Sequence, residues 1–147
     1  MSRMKDKEIA LLIFVSLIIS VILATPIWGF ILYFKQKRYE KLHPIYFENL
    51  EKHNKLMSKS CDFWNKNILP LKNKIKSFED NKLYYTKERL IQEENNLENL
   101  KKELETLEQE YKKMEDEINN YYLLMKQEID SDAKFKNFMV KNDFWRE

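Results

Sequence analysis

LYYTKERLIQEENNLENLKKELETLEQEYKKMEDEINNYYLLMKQEI, residues 83–129, is the stretch that decides the fold. Leu83, Leu90, Leu97, Leu104, Tyr111, Ile118 and Met125 recur every seven residues without a miss. With these as heptad position a, the d positions are Thr86, Glu93, Leu100, Leu107, Met114, Tyr121 and Glu128, four of the seven apolar. Neither glycine nor proline interrupts the run. A sustained seven-residue apolar repeat is the signature of a left-handed coiled-coil seam. The seam residues are therefore Leu83, Leu90, Leu97, Leu100, Leu104, Leu107, Tyr111, Met114, Ile118, Tyr121 and Met125. One helix over 83–129 would be about 70 Å long.

Upstream, residues 47–78 carry a second register. Phe47, Leu50, Met57, Cys61, Trp64, Ile68, Leu71, Ile75 and Phe78 follow one another at three, four or seven residues, with Asn54 in the remaining seam position. Asparagine on a seam fixes register at some cost in stability. Pro70 lies off the seam and is expected to kink or break this helix. From Phe78 to Leu83 the spacing is five, which fits neither step, so residues 79–82 read as a helix–helix connection.

Two arrangements satisfy these patterns. In an antiparallel hairpin, 47–78 folds back on 83–129. In an extended rod, of about 140 Å from residue 35 to 129, two chains pair in parallel. A parallel homodimer would set position g against the next e of its partner. That produces the repulsive pairs Glu103–Glu108 and Glu110–Glu115 against one attractive pair, Arg89–Glu94. Charge leans the same way: residues 35–82 carry a net +6 and residues 83–147 a net −5. Both arguments favour the hairpin, or a different partner, over an in-register parallel dimer.

The N-terminal part reads as a membrane anchor. Residues 9–34 contain no charge, and seventeen of the 26 are Ile, Leu, Val or Phe. A bilayer core needs roughly 20 apolar residues, so the segment spans with length to spare. Residues 1–8 form a basic flank with Arg3, Lys5 and Lys7. The apolar run is too long for a cleaved signal peptide, and Ile22 occupies the −3 position relative to a site after Ala24; an uncleaved signal-anchor is the better reading. Thr25-Pro26 inside the span predicts a kink, and Pro26 with Gly29 could form a packing notch. Trp28, Tyr33, Lys35, Lys37 and Arg38 are the expected membrane-interface residues, within or beside a basic juxtamembrane segment, 35–46. Three Lys/Arg plus the amino terminus on one side face four on the other, so the positive-inside rule assigns no orientation.

The tail, 130–147, opens with Asp130-Ser131-Asp132, which can cap a short helix. Phe135, Phe138, Met139, Val140, Phe144 and Trp145 follow. They could fold back on the coiled coil, dock another protein, or touch lipid as an amphipathic segment. Phe135, Phe138, Met139, Phe144 and Trp145 are the partner-docking candidates, since aromatic anchors dominate interface energy.

Composition narrows the function. A single glycine, Gly29, excludes phosphate-cradling loops and nucleotide-binding fingerprints. The net charge of +2 argues against a nucleic-acid partner. The two histidines, His43 and His53, and the one cysteine, Cys61, offer no metal-ligand spacing and no triad. Cys61 reads as a small seam residue, with an intermolecular disulfide as the sharper alternative. No catalytic residue, metal, cofactor or small-molecule substrate is expected. The fold class expected is all-α: one N-terminal transmembrane helix, then long coiled-coil helices in a hairpin or rod, then a short amphipathic segment.

In this plan, a basic start, one span and a coiled coil, the chain resembles the inner-membrane spanin subunit of phage lysis systems. That resemblance implies capture of a distal partner by the C-terminus. The plan is also similar to septal coiled-coil division proteins and to the b-type stalk subunit of rotary ATP synthases. Those stalks favour alanine-rich helices with an eleven-residue repeat, whereas this chain has three alanines and a seven-residue repeat. The expected function is a non-enzymatic single-pass tether or scaffold, with an accessory subunit of a larger membrane complex as the alternative. Its expected partners are membrane lipid and another protein, met through the coiled coil and tail; a homo-oligomer is a further option.

Overall fold

The structure is a computed structural model that describes the backbone of residues 2–146 and the side chains of residues 7–146. Arg3 and Lys5 of the basic flank lie outside the described side chains. The described chain is all-helical, without a strand. Helix α1 runs Ser2–Leu42, α2 Pro44–Phe63 and α3 Leu69–Asn81. A π-helical turn, Trp64–Ile68, joins α2 to α3. A 3₁₀ turn, Lys82–Tyr84, leads to α4, Lys87–Asp130, and then to α5, Ala133–Lys141. Two units divide the chain, one ending at Pro44 and the other beginning at Ile45.

The first unit is essentially α1. It is the one helix among the described residues long and apolar enough to cross a membrane, and it lies near the N-terminus. The helix is unbroken at Pro26. Within its charge-free stretch two hydroxyls bond back to the helix: Ser20 Oγ donates to the Ser16 carbonyl and Thr25 Oγ1 to that of Val21, each at 2.8 Å. A methyl group added at Gly29 would meet nothing within 4 Å, so this chain itself fills no notch there. α1 also continues for two turns beyond the expected span, through most of the juxtamembrane segment. It stops before Pro44, as the backbone preceding a proline favours.

The second unit is built on contacts of α3 and the π turn with α4, and of α4 with α5. Ion pairs link Lys72 to Glu108 at 2.7 Å, Glu79 to Lys101 at 3.6 Å and Lys82 to Glu94 at 3.5 Å. The Trp64 and Tyr111 rings meet at 5.1 Å. Along this ladder the residue number falls on one side as it rises on the other. Glu94, Lys101 and Glu108 all occupy position e of the heptad, beside the seam. Each pair is exposed enough to contribute below about 1 kcal/mol, so the ladder sets register more than it stabilises.

The shielding of α4 follows its heptads. From Leu90 to Met125 every a and d residue is buried or half-buried, and every other residue is exposed. Leu83 departs from this reading. It lies in the 3₁₀ turn, not in α4, and is 94% exposed. The seven-residue spacing simply continues past the true helix start at Lys87.

The upstream register needs a larger correction. From the last residue of the π turn onward, Ile68, Leu71, Ile75 and Phe78 are buried as expected. N-terminal to it, the shielded line runs through Tyr46, Asn49, His53, Leu56 and Ser60, one residue earlier than the expected Phe47, Leu50, Asn54, Met57 and Cys61. Phe47 and Leu50 are half-buried beside that line, whereas Asn54, Met57 and Cys61 are exposed. The cause is the π turn. Two steps of a heptad seam cover seven residues, but Ser60 and Ile68 are eight apart. A π turn accommodates the extra residue, with the Leu69 N–H donating to the Trp64 carbonyl five residues back. Pro70 accounts for its place: it has no N–H to offer and would crowd the Lys66 carbonyl in a straight helix. The expected kink at Pro70 is thus a widened turn immediately before it.

Candidate functional site

The second unit has two ends of different character. At one end the 3₁₀ turn and Tyr85-Thr86 connect α3 to α4. Leu83 and Tyr84 are 94% and 84% exposed there, and Ile91 is exposed on the first turns of α4. Tyr85 is held instead, its ring 5.6 Å from that of Phe78 and 4.7 Å from the Arg89 guanidinium. Cation–π contact of this kind steadies the turn. Leu83 and Tyr84 therefore project from an anchored loop.

The other end collects the tail. Asp132 caps α5 as expected, its Oδ1 accepting from the backbone N–H groups of Lys134 at 2.9 Å and Phe135 at 3.2 Å. Phe135, Phe138 and Met139 turn inward, with Phe135 fully buried. The Phe135 ring lies 5.3 Å from that of Tyr46, edge to face, and 6.3 Å from that of Phe47. Trp145 is also buried; its ring stacks on Tyr122 at 5.2 Å and meets Tyr46 at 6.4 Å. Asp143 adopts a left-handed backbone, φ 57°, and the N–H groups of Phe144 and Trp145 both reach the Met139 carbonyl. This closing turn seats Trp145. Among the partner-docking candidates only Phe144 remains substantially exposed. The others are committed to the base of their own unit.

Tyr46 is the centre of this base and was missed by the sequence reading. Its expected register placed Phe47 inward, and no sequence signal marked the one-residue shift. Burial pushes the Tyr46 hydroxyl up to about 12. Farther along, burial and the Glu115 carboxylate raise Tyr111. Near the base, Lys52 donates to Glu48 one turn back, which holds the Glu48 carboxyl below its usual range.

The expected membrane-interface residues all lie on α1. Trp28, Tyr33, Lys35, Lys37 and Arg38 are exposed. Lys37 pairs with Glu40 at 2.7 Å and lies 5.8 Å from the centre of the Tyr33 ring. At the end of α1 the His43 N–H donates to the Tyr39 carbonyl at 2.8 Å, and the two rings stack at 6.3 Å. No protein family, no curated protein and no solved structure matches this chain.

Proposed function

We propose that this protein is a non-enzymatic, single-pass membrane tether: α1 crosses the bilayer, and α2 to α4 pair as an antiparallel coiled-coil hairpin that carries a binding tip. The observation behind the proposal is the pairing of two features: an apolar helix with no cover from its own chain, and an exposed Leu83-Tyr84 at the far end of a stiff helix pair. From Tyr46 to Lys82 the hairpin would be about 55 Å long. A tether of that kind acts by geometry, raising the effective concentration of a partner at a fixed reach. The burial of Phe135, Phe138, Met139 and Trp145 moves the binding role from the tail to the tip. It also withdraws support from capture by the C-terminus, the feature that favoured a spanin-like reading.

Two experiments test this. Cys61 is exposed, so a membrane-impermeant maleimide applied to intact cells reports the side on which the hairpin lies. Spectroscopic labels at Lys59 and Glu117 should lie side by side within one chain. An extended rod would separate them by about 87 Å, and that result would refute the hairpin.

The second reading is an accessory subunit of a larger membrane complex. The three apolar residues left open near the tip, Leu83, Tyr84 and Ile91, favour it. After mild detergent extraction a tether migrates as a small oligomer, whereas a subunit co-migrates with a much larger assembly.

A further inference from the structure

Exposed apolar side chains along α4 are not evenly spread. Between Ile91 and Tyr122, α4 exposes no large one. Then Tyr122, Leu123 and Leu124 are exposed in succession, as are Val140 near the end of α5 and Phe144 just after it. Leu123 occupies heptad position f, farthest from the seam, where a coiled coil in water carries polar residues. Tyr122 links the two groups, stacking on Trp145, the residue next to Phe144.

The charge around this patch is one-sided on α5. Lys134, Lys136 and Lys141 lie within Ala133–Lys141, and no acidic residue does. Lys136 pairs with Asp130 at 3.1 Å, and Lys141, Arg146 and Lys126 are exposed. Exposed aliphatic and aromatic groups among lysines are the composition of a surface at the boundary between headgroups and acyl chains.

The course of the chain identifies the occupant. Tyr46, which holds α5 and Trp145, is only four residues past Leu42, the end of α1. Two helical turns, about 12 Å, separate Phe34 from that end. The headgroup layer takes up roughly half of this distance, and a helix with its side chains reaches about 5 Å from its axis. The base is therefore tied within reach of lipid.

We propose that this base is a membrane-contact surface: Leu123, Leu124, Val140 and Phe144 enter the headgroup–acyl boundary, and Lys126 and Lys141 face anionic headgroups. The proposal rests on α1 crossing the same bilayer. The test uses the full chain in nanodiscs of phosphatidylcholine with phosphatidylglycerol, in a Cys61→Ser background. Single nitroxide labels are placed through Leu123→Cys, Val140→Cys, Leu83→Cys and Ala24→Cys. The reading is each label's collision rate with a water-soluble nickel chelate. The Leu123 and Val140 labels are expected to lose nickel contact several-fold relative to Leu83, while the Ala24 label reports hydrocarbon. Lys126→Gln with Lys141→Gln should raise nickel contact at Val140, by about fivefold per lysine in the lipid-contact equilibrium; an unchanged reading refutes the lysines' role. Base labels as open as Leu83, with Ala24 in hydrocarbon, overturn this inference alone. An Ala24 label open to nickel overturns the membrane reading with it. Protection at Val140 accompanied by spin–spin broadening means that a second copy covers the base, and also overturns the proposal.

Discussion

Deleting one residue from the π turn should do less harm than deleting one residue from α3. Asn65 is exposed within the turn, and removing it reduces the Ser60-to-Ile68 separation from eight residues to the seven a heptad seam needs. A straight α-helix then keeps Tyr46, Asn49, Leu56 and Ser60 in line with Ile68, Leu71, Ile75 and Phe78. Proline would be the remaining obstacle, at about 3 kcal/mol in a helix interior, so the deletion is paired with Pro70→Ala. The combined variant is expected to stay within about 1 kcal/mol of the parent. The comparison variant deletes Asn73, also exposed, with the same Pro70→Ala. One residue is 100° of helix. Either Ile75 and Phe78 rotate off the seam, or the π turn straightens and Asn67 and the substituted position 70 replace Ile68 and Leu71. Each route removes two buried apolar side chains, at about 2–5 kcal/mol apiece. A loss of at least about 4 kcal/mol is a large share of a typical folding stability of 5–15 kcal/mol. Denaturant unfolding in detergent, followed by helical circular dichroism, measures both. Equal damage from the two deletions would refute the argument that the π turn exists to absorb a surplus residue.

Phe135→Ala should release the base by about 3–5 kcal/mol, because a nine-residue helix cannot persist without its packing. Hydrogen exchange would then accelerate across 133–141 and remain unchanged across 97–107; unaltered protection of α5 would show that Phe135 does not hold it. Lys72→Glu or Glu108→Lys alone should destabilise by under about 1 kcal/mol and the two together should recover the ion-pair part of the loss, though not the Lys72 contact with the Trp64 ring at 4.8 Å, with the coupling fading in high salt. A double-mutant cycle without coupling would mean that the two residues do not meet. Alkali supplies a further check. The Tyr46 phenol is an acid whose folded value, about 12, lies above the ordinary 10, so the folded chain keeps its proton longer than the unfolded chain. Stability should fall as pH climbs from 10 towards about 12, by about 2 kcal/mol, and Tyr46→Phe should remove that part of the decline. Identical alkaline profiles for the two proteins would contradict the burial of Tyr46.

What was legible in the sequence was whatever depends on an uninterrupted period. The seam of α4 follows from spacing alone, because nothing between Lys87 and Asp130 disturbs the helix. The charge-free run of α1 and the Asp132 cap were equally readable, since each is a local property. The register of α2 was not. Its error comes from one surplus residue absorbed at Trp64–Ile68, and the only local sign of that turn is Pro70, which pointed to a kink instead. Leu83 was misplaced because a spacing of seven can outlast the helix that gives it meaning. The destination of the tail was legible only as an apolar face in need of cover. Nothing in Phe135 or Trp145 names Tyr46, 89 and 99 residues away, as the side chain that covers them.

The connection of α1 to α2, and not to α4, has a mechanical consequence. If a partner holds the tip and pulls against the anchor, tension passes along α2, the π turn and α3. α4 receives only what the seam transmits as shear, and α5 receives none directly. Trp64–Ile68, which already departs from the α-helical hydrogen-bond ladder, is then the link in that series where lengthening would start. If the proposed tethering role holds, the same turn that reconciles two registers at rest would be its compliance under force.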